Sequence, residues 1–265
     1  MNIGFIGTGN MAGALVRALC KTVDGQQVWL SNRTVSKAQE LAREVGATVS
    51  TNEAIARACQ VIYLGVKPNM MKDLLEELAP VLRQRSQDFV LISMASGVNL
   101  DELADYAGGT YPIIRIMPNT PAAVGAGMIL YCANQAVTQQ MIDDMLRSMV
   151  AAGRFDAIAE KQMDAGSAVA GCGPAFACLF MEALADGGVE CGLSRKQAME
   201  YAAQMLMGSA KLVLESGQHP GALKDAVCSP GGSTIAGVHA LENGAFRSCA
   251  MNAVKAAFEK TKNLK

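Results

Sequence analysis

Short apolar runs, many of them β-branched, recur through the first half of the chain: Ile3–Ile6, Val28–Leu30, Val61–Leu64, Val90–Ile92, Ile113–Ile116 and Met128–Tyr131. Patterns with helical spacing lie between several of them, at Met11–Cys20, Lys37–Glu44 and Met70–Leu82. Strands that alternate with helices are joined by crossovers, and so predict parallel pairing. A doubly wound α/β domain follows. From about Glu160 the alternation stops and long Ala/Leu/Met-rich stretches take over: Pro174–Val189, Arg195–Glu215 and Ala245–Lys262. Pro174 suits the first turn of a helix, where no N–H is needed. Gly217 and Pro220 end the middle helix. With the boundary near 155–162, the pattern predicts a Rossmann-type dinucleotide-binding domain over residues 1–158. An all-α domain over 159–265 follows it.

The later helices have few polar positions. "PAFACLFMEALADGGVECG" and "QAMEYAAQMLMGSAKLVLE" are apolar or small nearly all round. Such a helix must be buried, and a domain of roughly 100 residues cannot bury several of them by itself. A homodimer sharing one helical core is expected. The plainer alternative packs these helices on the first domain of the same chain.

Composition narrows the function classes. The 265 residues are 51% hydrophobic and 18% charged, with a formal net charge of −1. That is a globular composition, without the basic footprint of a nucleic-acid or membrane-surface binder. Charges such as Glu182 and Asp186 interrupt the apolar stretches, so no membrane span is expected. The eight cysteines form no Cys-x-x-Cys pair, which suits reduced thiols in the cytoplasm. With two histidines, His219 and His239, no histidine metal site is expected.

The candidate chemistry begins at "GFIGTGNMAG". Gly7-x-Gly9-x-x-Ala12 follows a predicted strand and opens a helix. Gly7 permits the turn, Gly9 lets a pyrophosphate approach the backbone, and Ala12 lets the helix lie close to the sheet. Ile6, Gly7, Thr8, Gly9, Asn10 and Met11 are therefore the candidate phosphate-side contacts, facing the positive end of the helix. After the second strand, "WLSNRT" offers Ser31, Asn32 and Arg33 but no carboxylate. A carboxylate would repel a 2′-phosphate and Arg33 would pair with it, so NADPH is favoured over NADH. Other strands end in Val66-Lys67-Pro68, Ala95-Ser96-Gly97 and Met117-Pro118-Asn119-Thr120. Ligands of open α/β sheets sit at such ends. The plainer reading of Lys67 is a helix-entry charge, and of Asn119 a turn former.

A second glycine loop, "VCSPGGSTIAG", lies at Val227–Gly237. The residues alone leave two readings open: an anion site at a helix N-terminus, or an ordinary helix entry with Thr234 as its cap. Together with "VKP" at 66–68, "RIMPNTPAAVGAG" at 115–127, "GCGPAF" at 171–176 and "HPGALKDAVCSPGGSTIAGVHALE" at 219–242, the chain resembles the Δ1-pyrroline-5-carboxylate reductase family over essentially its whole length. Two features depart from the family pattern: Ala170 and Cys172 stand where serines are usual, and Ser96 where alanine is common.

The resemblance implies NADPH-dependent reduction of a cyclic imine to L-proline. It implies that Gly231, Gly232 and Ser233 bind the substrate carboxylate, that Thr234 hydrogen-bonds the ring nitrogen, and that Ser229 shapes the turn. It implies cofactor contact by Asn52 and a place for Glu160 near the bound substrate or cofactor. It also implies interlocked homodimers, often built into rings, with the 229–234 loop of one chain against the cofactor domain of the other. Two rival enzymes share this architecture. A β-hydroxyacid dehydrogenase would carry a lysine on the helix over Gly171–Glu182, where none occurs. An imine reductase for another ring would differ only in pocket shape. A non-catalytic NADP sensor would have no use for the 227–237 loop.

Overall fold

The computed structural model describes residues 1–262; residues 263–265, the end of the expected second domain, lie outside the described residues. Eight strands form one sheet: β1 Ile3–Ile6, β2 Val28–Ser31, β3 Thr48–Val49, β4 Val61–Leu64, β5 Val90–Ser93, β6 Ile113–Met117, β7 Gly127–Ala133 and β8 Gly153–Ala157, in the order β3-β2-β1-β4-β5-β6-β7-β8. The first six are parallel. Reversal of the strand order at β1/β4 is the doubly wound topology, which places ligands at the carboxyl ends of these strands.

The expectation of parallel pairing fails at one place. β7 runs antiparallel to β6, with Met117 opposite Leu130. Only a short 3₁₀ turn, Thr120–Val124, joins the two strands. A parallel return needs a crossover of a dozen residues or more, and this connection is too short to provide one.

Helices α1 (Asn10–Leu19), α2 (Val35–Val45), α3 (Asn52–Ala58), α4 (Met71–Arg83), α5 (Leu100–Ala107) and α6 (Gln139–Ser148) cover the two faces of the sheet. Because side chains alternate along a strand, Phe5, Tyr63 and Ile116 face the core under α1, α2 and α6. Ile6, Ile62, Leu64 and Met117 face the core under α3, α4 and α5. Burial on both faces explains why the strands read as unbroken apolar runs. Phe5 and Tyr63 stack with ring centroids 4.4 Å apart.

After β8 the chain enters one helical run, Glu160–Glu190. It contains α7 (Met163–Gly166), a π turn over Ser167–Gly171 and α8 (Gly173–Glu190). Then come α9 (Arg195–Ser216), α10 (Pro220–Ala226), α11 (Ser233–Asn243) and α12 (Phe246–Lys262). The chain divides into two compact units: Met1–Cys172 together with the residues from Ala257 onward, and Gly173–Ala256. The first unit thus extends past the boundary expected at 158/159. Met163 is fully buried in the core under α3–α5, and Ser167 and Ala168 are buried as well. The helical composition changes at 160, but packing on the sheet continues to the π turn.

In the second unit Gly188 of α8 lies against Ala198 of α9, where an added Cβ would stand 3.1 Å from the alanine methyl. Within the chain only Ala185 of α8, and only Ala198 and Ala202 of α9, are buried. Leu179, Met207 and Leu214 stand exposed. By length and composition Glu160–Glu190 is apolar enough to cross a membrane, although the charges at Glu182 and Asp186 had pointed away from a span. Its bare apolar face is also what a dimer-forming helix presents.

Candidate active site

The first candidate site is built by the carboxyl ends of β1, β2, β4 and β5. The Gly7 N–H donates to the Ser31 carbonyl at 2.8 Å, the Gly65 N–H to Ile6 at 2.8 Å, and the Met94 N–H to Leu64 at 3.3 Å. These bonds carry the ladder past the strand ends and bring residues 6–8, 31–32, 65–67 and 94–97 together. Gly7 adopts φ +92°, a conformation that disfavours any side chain. A Cβ on Gly7 would lie 2.7 Å from the carbonyl carbon and oxygen of Gly65. Gly65 is a site residue absent from the sequence expectations; its signal was the glycine directly before Val66-Lys67-Pro68.

Gly9 is the N-cap of α1, with no side-chain cap. The first intrahelical bond runs from the Gly13 N–H to the Gly9 carbonyl at 2.7 Å. The N–H groups of Asn10, Met11 and Ala12 are thus the open end of the helix. An added Cβ on Gly9 would meet nothing within 4 Å, so the glycine borders open space and the protein's own packing does not require it. The Thr8 hydroxyl is buried without a hydrogen-bond partner. An open helix N-terminus, empty space over Gly9 and an unsatisfied hydroxyl beside them fit a phosphate-bearing ligand.

Around the second strand the polar groups divide into engaged and free. The Ser31 hydroxyl donates to the Asn52 side-chain oxygen at 2.6 Å. The Asn32 side chain accepts from the Thr8 N–H at 3.1 Å and donates to the Thr34 carbonyl at 2.9 Å. Arg33 is exposed. Lys67, also exposed, precedes the short 3₁₀ turn opened by Pro68. Ser96 and Gly97 follow β5 half-exposed, Gly97 at φ +78°, while Ala95 is buried.

β6 behaves differently from expectation. Met117 and Asn119 are buried. The Asn119 amide nitrogen donates to the Ala170 carbonyl at 2.9 Å, and its oxygen accepts from the Met128 N–H at 3.0 Å. Its side chain is therefore spent within the protein, and the cofactor contact expected of it is corrected to a structural one. Glu160, expected near a ligand, accepts from the Leu100 N–H at 2.6 Å and lies 3.5 Å from Arg115. Arg115 is 3% exposed and also pairs with Asp164 at 3.2 Å. The signal for this cluster was an arginine flanked by isoleucines inside a core strand: a buried cation demands carboxylates.

The second candidate site lies in the second unit. The Gly232 N–H donates to the Ser229 carbonyl at 3.0 Å and Gly231 adopts φ +68°. Pro at the second position and a positive-φ glycine at the third make Ser229–Gly232 a type II turn. The turn consumes the Gly232 N–H, so that group is removed from the expected carboxylate donors. Gly232 is the N-cap of α11 and has no side-chain cap. The first intrahelical bond, from Ala236 N–H to the Gly232 carbonyl, spans 3.3 Å. This leaves the N–H groups of Ser233, Thr234 and Ile235 at the open helix end. Ile235 had not been expected there. Thr234 is exposed. Since Gly232 occupies the cap, the reading of Thr234 as an ordinary cap is excluded.

A doubly wound sheet with an open glycine-capped helix end at its β1 turn is a dinucleotide-binding architecture. Residues 2–97 match the family model described as NADP oxidoreductase, coenzyme F420-dependent, and residues 160–264 match that described as pyrroline-5-carboxylate reductase dimerisation. The pyrroline-5-carboxylate reductase of Escherichia coli is 40% identical over 99% of this chain and 97% of its own length. That of Pisum sativum is 40% identical over 99% and 95%. The crystal structure of the Plasmodium falciparum pyrroline carboxylate reductase with NADP bound superposes with a TM-score of 0.87 at 34% identity, covering 99% of this chain and 97% of that one. The chain belongs to the pyrroline-5-carboxylate reductase family: an oxidoreductase that uses a pyridine nucleotide and a small-molecule substrate, and that oligomerises through its helical segment.

Proposed function

We propose that this chain reduces Δ1-pyrroline-5-carboxylate to L-proline with NADPH, the last step of proline biosynthesis. The observation that carries the reading is the open N-terminus of α11. It offers three unpaired N–H groups for a carboxylate and, on the same turn, an unengaged threonine hydroxyl for a ring nitrogen. NADPH supplies the hydride. A protonated imine would accept that hydride at its ring carbon, the C=N π pair passing to nitrogen, so the protein need not supply a strong acid. The protein's task is then orientation and charge complementarity. Ser233, Thr234 and Ile235 N–H groups hold the carboxylate, the Thr234 hydroxyl fixes the ring nitrogen, and Ser229–Gly232 set the turn. Thr234 is the proposed catalytic residue.

For the cofactor, residues 6–11 and Gly65–Pro68 take the phosphate side, and Asn52, oriented by Ser31, takes the ribose. Ala95–Gly97 and the backbone of Met117, Pro118 and Thr120 border the nicotinamide. With Ser31 and Asn32 engaged, Arg33 is the group available for a 2′-phosphate, which supports NADPH over NADH. The dimer is the minimal assembly, with rings of dimers as its further form, and the scattered cysteines suit a reducing cytoplasm. The test is incubation of the purified protein with NADPH and pyrroline-5-carboxylate, following loss of reduced-nicotinamide absorbance and formation of proline. Absence of proline across the pH range would overturn the reading.

A further inference from the structure

We infer that Asn119 is a positioning residue that fixes where the helical run Glu160–Glu190 leaves the cofactor-binding unit, by capturing a carbonyl of the π turn. The inference rests on the function proposed above. π turns interrupt the i→i+4 ladder and recur at functional sites. Here the Cys172 N–H reaches back five residues to the Ser167 carbonyl at 3.0 Å. The Ala170 carbonyl of that turn takes the Asn119 amide N–H at 2.9 Å.

Two fastenings hold the start of the helical run, one from within β6 and one from the residues just after it. Arg115 grips Glu160 and Asp164. Asn119, just past the strand, grips Ala170 while its oxygen holds Met128 at the start of β7. Asn119 is 7% exposed, so each of these bonds forms away from bulk water, where an unmade partner is costly. The first unit ends at Cys172. The Ala170 bond is therefore a fastening within two residues of the point where the chain passes to the unit carrying Thr234. Met117, Pro118 and Thr120, the neighbours of Asn119, are among the residues proposed to border the nicotinamide. One side chain thus ties the nicotinamide edge of the sheet to the exit of the helix, without itself touching either reactant.

The test compares wild type with Asn119→Ala and Asn119→Asp. The aspartate keeps the acceptor for Met128 and loses the donor to Ala170. Three quantities are measured on folded dimer: NADPH Kd by fluorescence, kcat for pyrroline-5-carboxylate well below the melting temperature, and amide exchange of residues 163–173 by mass spectrometry. Faster exchange in that segment, a kcat lowered at least about tenfold and an NADPH Kd unchanged within about threefold are expected for both variants. A raised NADPH Kd with full kcat at saturation would make Asn119 a cofactor contact and overturn the inference. Unchanged kcat would overturn it too. If Asn119→Ala does not accumulate folded, Asn119→Asp carries the comparison. A wild-type enzyme that makes no proline would instead sink the proposed function, while the exchange measurement would still report on the clamp.

Discussion

Gly7 and Gly65 meet backbone to backbone: a Cβ built on Gly65 would sit 2.5 Å from the Gly7 carbonyl oxygen and 2.8 Å from the Ala12 methyl. The turns after β1 and β4 are thus held at one fixed separation, which sets the width of the nucleotide loop. Gly65→Ala should cost about 1–3 kcal/mol through overpacking. It should also weaken NADPH binding by about tenfold or more, since α1 must move to make room. Thermal unfolding and nucleotide titration of the same preparation check both.

Arg33→Ala should raise the NADPH Kd about tenfold or more, because a charge-assisted pair to phosphate is lost. The NADH Kd should stay within about twofold. Equal losses for the two nucleotides would show that Arg33 does not read the 2′-position.

Thr234→Ala should lower kcat/KM for the imine by about 10- to 100-fold, the loss of one hydrogen bond to a charged ring. Affinity for NADPH should not change. Unaltered kinetics would remove Thr234 from the reaction.

Arg115→Met should destabilise the chain by about 3 kcal/mol, as when one partner of a buried ion pair is removed. Glu160 and Asp164 are 32% and 31% exposed, so water relieves part of the penalty and the loss stays at the lower end. Glu160→Gln keeps an acceptor for Leu100 and should cost less. Denaturant titration measures both.

Burial pushes the Cys59 thiol up to about 12 and the Cys132 thiol up to about 11, from an ordinary 9.0. At pH 8 neither should be alkylated in the native protein, as peptide mapping after iodoacetamide would read. Above pH 9 the unfolded chain sheds these protons first. Stability should therefore be complete below pH 9 and fall as pH rises toward about 11 and 12, seen as a falling denaturant midpoint.

Much of this architecture was legible because β1, β2, β4 and β5 are buried on both faces and read as apolar runs, and β6 does so apart from Arg115. β8 was not: Gly153–Ala157 is an edge strand with mixed burial, and its sequence carries no alternation. The antiparallel turn of β7 depended on the length of one connection, not on any residue pattern. The strand-end loops of the cofactor site were readable because glycine spacing reports backbone geometry directly. Side-chain commitments were not readable. Asn119 and Glu160 look like ligand groups in a linear sequence, and only the fold shows that Ala170, Arg115 and Leu100 already claim them. The reverse holds at Thr234, where the glycine cap at 232 leaves the hydroxyl unclaimed.

The bare faces of α8 and α9 tie folding to supply. Among the described residues most of the apolar surface of these helices is left bare, and the dimerisation segment they belong to supplies its cover from a second copy. Each new chain is then only as durable as the pool it joins. Dilution acts on this protein as heat does, and its melting temperature should climb with concentration, as mass action requires of a fold completed by assembly.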